Sequence, residues 1–210
     1  GPMFRYERPQ AGRQRQFHQV GVEMFGVKEP AADAEVILLA VNYLKSLGLN
    51  DLEVEINSLG CPKCREEYKN KIKEVLKPEF NNLCEDCQNR YEKNPLRLLD
   101  CKVESCKEIF EKPNIKAVIQ SDFICEECAE HYSKLKEYLN SLNIKYVENK
   151  LLVRGLDYYN RTVFEIKSNN LGSQNAVCGG GRYDSLVRNL GGDDTPAVGW
   201  AMGMERLISL

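Results

Sequence analysis

No run of apolar residues in this 210-residue chain approaches the roughly 20 needed to cross a bilayer. The first residues, Gly1-Pro2-Met3-Phe4-Arg5, lack both the apolar core of a secretory signal and the character of a transit peptide. A cytoplasmic setting without membrane contact is the expectation. Excess charge of either sign is missing too: 29 Lys and Arg face 31 Asp and Glu, a net charge of −2. That argues against a protein that coats nucleic acid non-specifically. There is no internal repeat. Histidine occurs only at positions 18 and 131. His18 points away from Gln19 and Glu23 on its strand, so a structural or surface role is expected. His131 follows Cys128 by three residues and is an alternative zinc ligand.

What is present is ordinary globular composition, 42% hydrophobic and 29% charged, enough chain for one full domain and a smaller one. Residues 1–8 read as a strand, and Gln16–Phe25, with Phe17, Val20, Val22 and Met24, as an antiparallel return strand. Apolar residues over 31–48 have helical spacing, with Gly48 as C-cap. Leu52–Asn57 alternates as a strand. At Ser58 the texture turns Lys-, Glu- and Cys-rich, with helical patterns near 63–76, 80–92, 103–111 and 126–142. Strand character returns at 162–167 and 176–178. A short helix is expected over 182–190, a last strand over Pro196–Met202, and the first turns of a helix over 203–210. The whole reads as an α+β fold. One domain, 1–57 and 151–210, carries a helical insertion, 58–150.

Arg5, Arg8, Arg13 and Arg15 crowd the first fifteen residues, opposed only by Glu7. Such a concentration suits a nucleoside triphosphate, one guanidinium binding a phosphate bidentately and a loop arginine reaching another. A solvated turn is the plain alternative. Phe17 can stack on a base. Gln19, Gly21 and Glu23 share one strand face and can meet a second ligand there, although Glu23 also suits an exposed strand position. Gly179-Gly180-Gly181 would let a small ligand lie against backbone, or mark a bulge.

The nine cysteines fall mostly in closely spaced pairs, which fits metal binding better than a disulfide framework. Cys61-x2-Cys64 and Cys84-x2-Cys87, nineteen residues apart, have the spacing of a four-thiolate zinc site. Cys101-x4-Cys106 and Cys125-x2-Cys128 would form a second. The pairs can also interleave, and reduced thiols in a small helical core remain the alternative. Such a zinc would be structural, because four thiolates leave no open position. Cys178 is left over as a small buried apolar residue.

Four blocks in one order carry a resemblance. GPMFRYERPQAGRQRQFHQVGVEMFG, Gly1 to Gly26, resembles motif 2 of class II aminoacyl-tRNA synthetases in its histidyl form. LVRGLDYY at 152–159 with RTVFE at 161–165, and GGGRYD at 179–184, resemble the two histidine signatures of that family. GWAMGMER at 199–206 resembles motif 3. The resemblance implies the class II antiparallel sheet flanked by helices. It implies ATP-dependent activation of L-histidine, with Mg²⁺, and transfer to tRNA(His) by a homodimer. Arg5 would hold the α-phosphate and the histidine carboxylate, Glu7 would contact the adenine side, and Arg13 and Arg206 the outer phosphates. Phe17 would stack on adenine. Gln19 would meet the histidine backbone and Glu23 its imidazole, with Tyr158 and Tyr159 closing the pocket. Arg154 would sit at the α-phosphate and assist the chemistry.

Lys63, Arg65, Lys69, Lys71 and Lys73 would offer the insertion a tRNA-facing side, or simply a solvated helix face. Motif 1 and an anticodon-binding domain are expected outside these residues, so the chain alone is expected to be weak or inactive, with exposed apolar surface. Two rivals stand. A regulatory paralogue would tend to lose the arginine of the first signature and to lack the insertion, whereas Arg154, Arg5 and Arg206 are all present. A zinc-binding RNA module would not need the four blocks.

Overall fold

Alternation from Gln16 to Phe25 predicts a strand, and the computed structural model, which describes residues 1–6, 14–121, 123–168 and 176–210, has β2 over Gln16–Phe25. It pairs antiparallel with β1, Pro2–Phe4, Met3 opposite Phe17. Helix α1 follows over Pro30–Ser46. Pro30 sits in its first turn, where a missing N–H costs nothing, and Gly48 lies just beyond its end at φ 90°. That left-handed position strains any residue with a Cβ. Strand β3 spans Leu52–Ser58.

Five helices come next: α2 Pro62–Leu76, α3 Glu85–Lys93, α4 Glu104–Phe110, α5 Pro113–Gln120 and α6 Glu126–Ser141. The chain then lays down β4 Tyr146–Glu148, β5 Asn160–Ser168, β6 Ala176–Arg182, α7 Leu186–Asn189, β7 Ala197–Gly203 and α8 Met204–Ile208. The strands form one sheet in the order β1-β2-β7-β6-β5-β3-β4. Every pairing is antiparallel except β3 with β4. The three-residue β4 has too little alternation to be seen in sequence; its partner β3 defines it. No described helix is long and apolar enough to cross a membrane.

One sheet face is apolar. Val54, Ile56, Phe164, Ile166, Val198, Trp200 and Met202 pack beneath Val36, Ile37, Ala40 and Leu44 of α1. The indole N–H of Trp200 donates to Val36 O at 2.9 Å, so its one polar atom is satisfied inside the core. The segment expected as one helical insertion, 58–150, does not share one core. Ile72, Leu76, Leu98, Ile109, Phe110 and Ile115 make a separate cluster within α2–α5. Helix α6 instead presents Tyr132, Leu135 and Leu139, one helical stripe, to the sheet core beside α1. The helix expected over 182–190 shrinks to Leu186–Asn189. Arg182 stays in β6 because its fully buried guanidinium is held by Asp33 of α1.

Candidate active site

The sheet's other face carries glycine and alanine along its middle. Register places Gly21 opposite Ala201 and Glu23 opposite Gly199 across β2 and β7. It continues with Ala201 opposite Gly179 and Gly199 opposite Gly181 across β7 and β6. Alternation keeps these positions on one face, so the middle of the sheet leaves room for side chains from neighbouring segments to lie across it: Glu23 over Gly199, Arg154 over Gly179 and Tyr159 over Gly181. The emptiness is structurally required at two places. A Cβ on Gly199 would fall within bonding distance of the Glu23 carboxylate, and one on Gly179 would lie 2.5 Å from the Arg154 guanidinium. Gly180, whose missing side chain lies on the opposite face, gives room to Trp200, 2.7 Å from where a Cβ would sit.

One wall of this trough is aromatic. Tyr158 and Tyr159 lie 4.6 Å apart by ring centroid, Tyr183 stands edge-on to Tyr158 at 5.7 Å, and Phe25 closes on Tyr183 at 6.4 Å. The Tyr183 hydroxyl donates to Oε2 of Glu23. Burial, followed by that hydrogen bond and the neighbouring negative charge, pushes the Tyr183 phenol well up, and burial does the same for Tyr159. Both phenols therefore keep their protons and can only support a carboxylate by donating. Tyr183 lies within the third sequence block, where the sequence implies no role for it, because no spacing rule reveals that a residue of β6's exit crosses to β2.

Beside the aromatic group lies a cation. Arg154 lies over Gly179 and its Nη1 donates to Glu165 Oε2 at 2.8 Å, with about a quarter of the arginine side chain exposed. Its Nε–H has no partner among the described residues. Glu165, a residue without an expected role, is thus the group that aims the arginine.

Other expected residues gather elsewhere on the sheet. Arg5 stacks its guanidinium over Phe17 at 4.1 Å and donates from Nε to Gln14 O at 2.8 Å. Gln19 is half-buried on β2, opposite Gly203. Arg206 of α8 donates to Ala176 O at 2.6 Å. His18 reaches Glu205 with its backbone N–H, and its Nδ1 lies 3.0 Å from the carboxylate, tying the hairpin to α8. That is a structural role. Glu7 and Arg13 lie outside the described residues.

Behind the trough is a buried ionic network that the sequence did not announce. Arg182 donates to Asp33, to Asp184 and to the carbonyls of Val27 and Glu29. His131 is not turned towards the thiols as a zinc ligand would be. Its Nε2 lies 3.4 Å from Asp33 and its Nδ1 3.3 Å from Arg161. Since a guanidinium only donates, Nδ1 is the acceptor and the Nε2 proton faces Asp33.

The cysteines come together in an order other than the expected one. The groups of four are Cys61, Cys64, Cys125 and Cys128, and Cys84, Cys87, Cys101 and Cys106. One pair of pairs is nested inside the other, because α2–α5 fold back on themselves before α6 begins. Arg65, expected on a basic outer face, turns inward and donates to the carbonyls of Asp157 and Tyr159, each at 2.7 Å. Cys178 is buried, as expected of a small apolar residue. A cleft of about 460 Å³ borders Phe110, Lys116, Ile119 and the β4 edge, away from every expected active-site residue.

A sequence model described as Histidyl-tRNA synthetase matches residues 1–207. A histidine–tRNA ligase of Desulfitobacterium hafniense is 54% identical over 209 residues, covering 100% of this chain and 48% of that protein. One from Thermosipho melanesiensis is 55% identical over 208 residues, 99% of this chain and 48% of its own. The chain thus spans about half the length of the curated relatives it matches. The solved apo histidyl-tRNA synthetase of S. aureus superposes with a TM-score of 0.75 at 37% identity, over 100% of this chain and 48% of that one. A Bacillus halodurans structure named as an ATP phosphoribosyltransferase regulatory subunit/histidyl-tRNA synthetase matches with a TM-score of 0.65 over 100% of this chain and 56% of its own. At 24% identity it shows a shared fold alone.

Proposed function

The chain belongs to the histidyl-tRNA synthetase family, and on that premise we propose that it is the central catalytic segment of an ATP-dependent ligase. The ligase forms histidyl-adenylate from L-histidine and ATP, then passes histidine to the 3′ end of tRNA(His), as a cytoplasmic homodimer. The observation that supports this most is the cluster of Glu23, three tyrosines and Arg154 over the glycines of β6 and β7.

The geometry suits the chemistry. Glu23, fixed through one oxygen by Tyr183, keeps its other oxygen for an imidazole N–H, and the tyrosines close around the ring. A site that leaves such groups unpaired disfavours amino acids lacking the ring nitrogens. Activation requires a carboxylate to attack the α-phosphate, two anions that repel. Arg154 beside Gly179 can approach both, and Arg5 from the hairpin can add a second cation. Phe17 then offers adenine its face, and Arg206, with Glu7 and Arg13, the contacts beyond. Among the described residues the only groups of three or more metal ligands are thiols. Mg²⁺ on the nucleotide would neutralise charge on the leaving pyrophosphate.

The competing reading, a regulatory relative without catalysis, shares the fold, so residues must separate them. Arg154, Arg5 and Arg206 favour the ligase. Histidine-dependent ATP–pyrophosphate exchange by the complete protein is the test. Exchange that needs histidine supports the ligase, and none from a folded protein shifts the reading to the regulatory kind. Tyr183→Phe removes a donor to the carboxylate. It is expected to raise the KM for histidine on the order of tenfold, with kcat little changed. An unchanged KM would mean that Glu23 does not depend on Tyr183 for its position.

A further inference from the structure

We propose that the eight paired cysteines hold two nested zinc ions, and that the outer ion fixes the segment bearing Tyr158 and Tyr159. All nine cysteines of the chain are free thiols. Within each tetrad the sulfurs lie within 4.8 Å of one another, with Cys61 and Cys64 at 3.5 Å and Cys84 and Cys101 at 3.9 Å. Four bonds of about 2.3 Å to a tetrahedral ion place the sulfurs about 3.8 Å apart. A disulfide brings them to about 2 Å, whereas an iron–sulfur cluster spreads its thiolates over several intervening atoms. A single tetrahedral ion fits the spacing; zinc is the ion proposed, and mononuclear iron, which shares the geometry, is the alternative that native mass spectrometry separates.

The backbone is arranged for thiolates as well. Cys61, Cys84 and Cys125 each stand immediately before a helix, so the x2 spacing puts Cys64, Cys87 and Cys128 in the first turn. Backbone N–H groups then donate to sulfur: Cys61 to Cys128 at 3.2 Å, Cys125 to Cys64 at 3.1 Å, and Cys84 to Cys106 at 3.3 Å. The first two are reciprocal between the halves of the outer tetrad. Gly60 makes the outer turn feasible, at φ 68°, where a Cβ would sit 2.5 Å from the Cβ of Cys64.

The two ions would do different work. The inner tetrad lies inside the α2–α5 cluster, which it would hold together. The outer tetrad joins the start of α2 to the start of α6, closing the whole excursion where it leaves and rejoins the catalytic sheet. Just before it, Leu59 N–H donates to Arg161 O at 2.7 Å and Arg161 N–H to Gly60 O at 2.8 Å. Just after it, Arg65 holds the carbonyls of Asp157 and Tyr159. An ion that fixes the first turn of α2 therefore fixes the backbone on which the aromatic wall stands. This positioning role rests on the proposed ligase; the metal count does not.

Native mass spectrometry of this chain, expressed with zinc, is expected to show two Zn²⁺. The Cys84→Ser/Cys87→Ser and Cys125→Ser/Cys128→Ser variants should each retain one. A folded wild-type chain with one ion, none, or iron overturns the proposal. Should a variant fail to fold, Co²⁺ titration of the reduced, metal-free wild-type chain still decides. Its tetrathiolate d–d absorption should level off at two equivalents, and a plateau at fewer overturns two sites. In the complete protein the outer variant should raise the exchange KM for histidine by about tenfold or more while the ATP KM and the inner variant stay near wild type. Equal effects of both variants overturn the positioning role. Absence of histidine-dependent exchange in wild type overturns the ligase reading and leaves the metal result standing.

Discussion

Arg154→Ala is expected to lower histidine-dependent ATP–pyrophosphate exchange in the complete protein by a factor on the order of 10²–10³, mostly in kcat. The reason is geometric. Arg154 is placed by Glu165 on one side and by the absence of a side chain at Gly179 on the other, so its charge stands over the trough before any substrate arrives. Preorganised charge of this kind is worth most where charge develops, on the α-phosphate. Arg154→Lys should recover little of the loss. A lysine ammonium cannot span carboxylate and phosphate with a planar fork while also meeting Glu165. Glu165→Gln should give a smaller loss of the same kind by loosening the aim. A deficit below tenfold for the alanine variant would remove Arg154 from the reacting centre and leave it as a structural partner of Glu165.

The second large effect concerns stability. Arg182→Met should destabilise the fold by about 3–5 kcal/mol, since it leaves Asp33 buried and charged without its main partner. Replacing both, Arg182→Met with Asp33→Leu, should recover much of that loss. Urea unfolding followed by the emission of Trp200, the single tryptophan, which is buried in this core, reads both. Equal destabilisation by the single and double variants would show that shape, not charge pairing, sets the cost.

The pair also gives an acid limit. Burial alone would raise the Asp33 carboxyl, but the His131 imidazole beside it and the hydrogen bonds and charge of Arg182 outweigh it and hold the carboxyl below its usual value. A depressed folded-state pKa contributes stability that is complete above the unfolded value of about 3.9 and lost as pH falls through the lower folded value. Melting of the wild type should therefore drop below about pH 4, and Asp33→Asn should flatten that drop while lowering the melt at pH 7.

Much of the fold was legible because it repeats a pattern over many residues. The ten-residue alternation of β2 and the long apolar stripe of α1 each report their own structure, and Gly48 marks a helix end by a conformation only glycine takes cheaply. Short or conditional elements were not. Three residues of β4 carry no period, and Arg182 reads as the start of a helix until a buried aspartate 149 residues away in sequence holds it in a strand. The thiols show the same division. The x2 gaps announced paired thiols, but which pair meets which is a question of chain path, and the path nests them. Arg65 looked like one more cation on a helix face, and only its approach to the carbonyls of 157 and 159 reveals an inward role.

By itself the sequence determined the family, the four chemical blocks, the glycine run and the identity of most groups facing the trough, because those depend on residue type and near-neighbour spacing. Tertiary structure alone decided that Tyr183 supports Glu23, that Glu165 aims Arg154, that Asp33 and Arg182 neutralise each other beneath the site, and that the cysteines nest. Each of these joins residues far apart in the chain. Such contacts follow from strand order and helix docking, which are set by the burial of whole faces rather than by any local signal in the residues that end up touching.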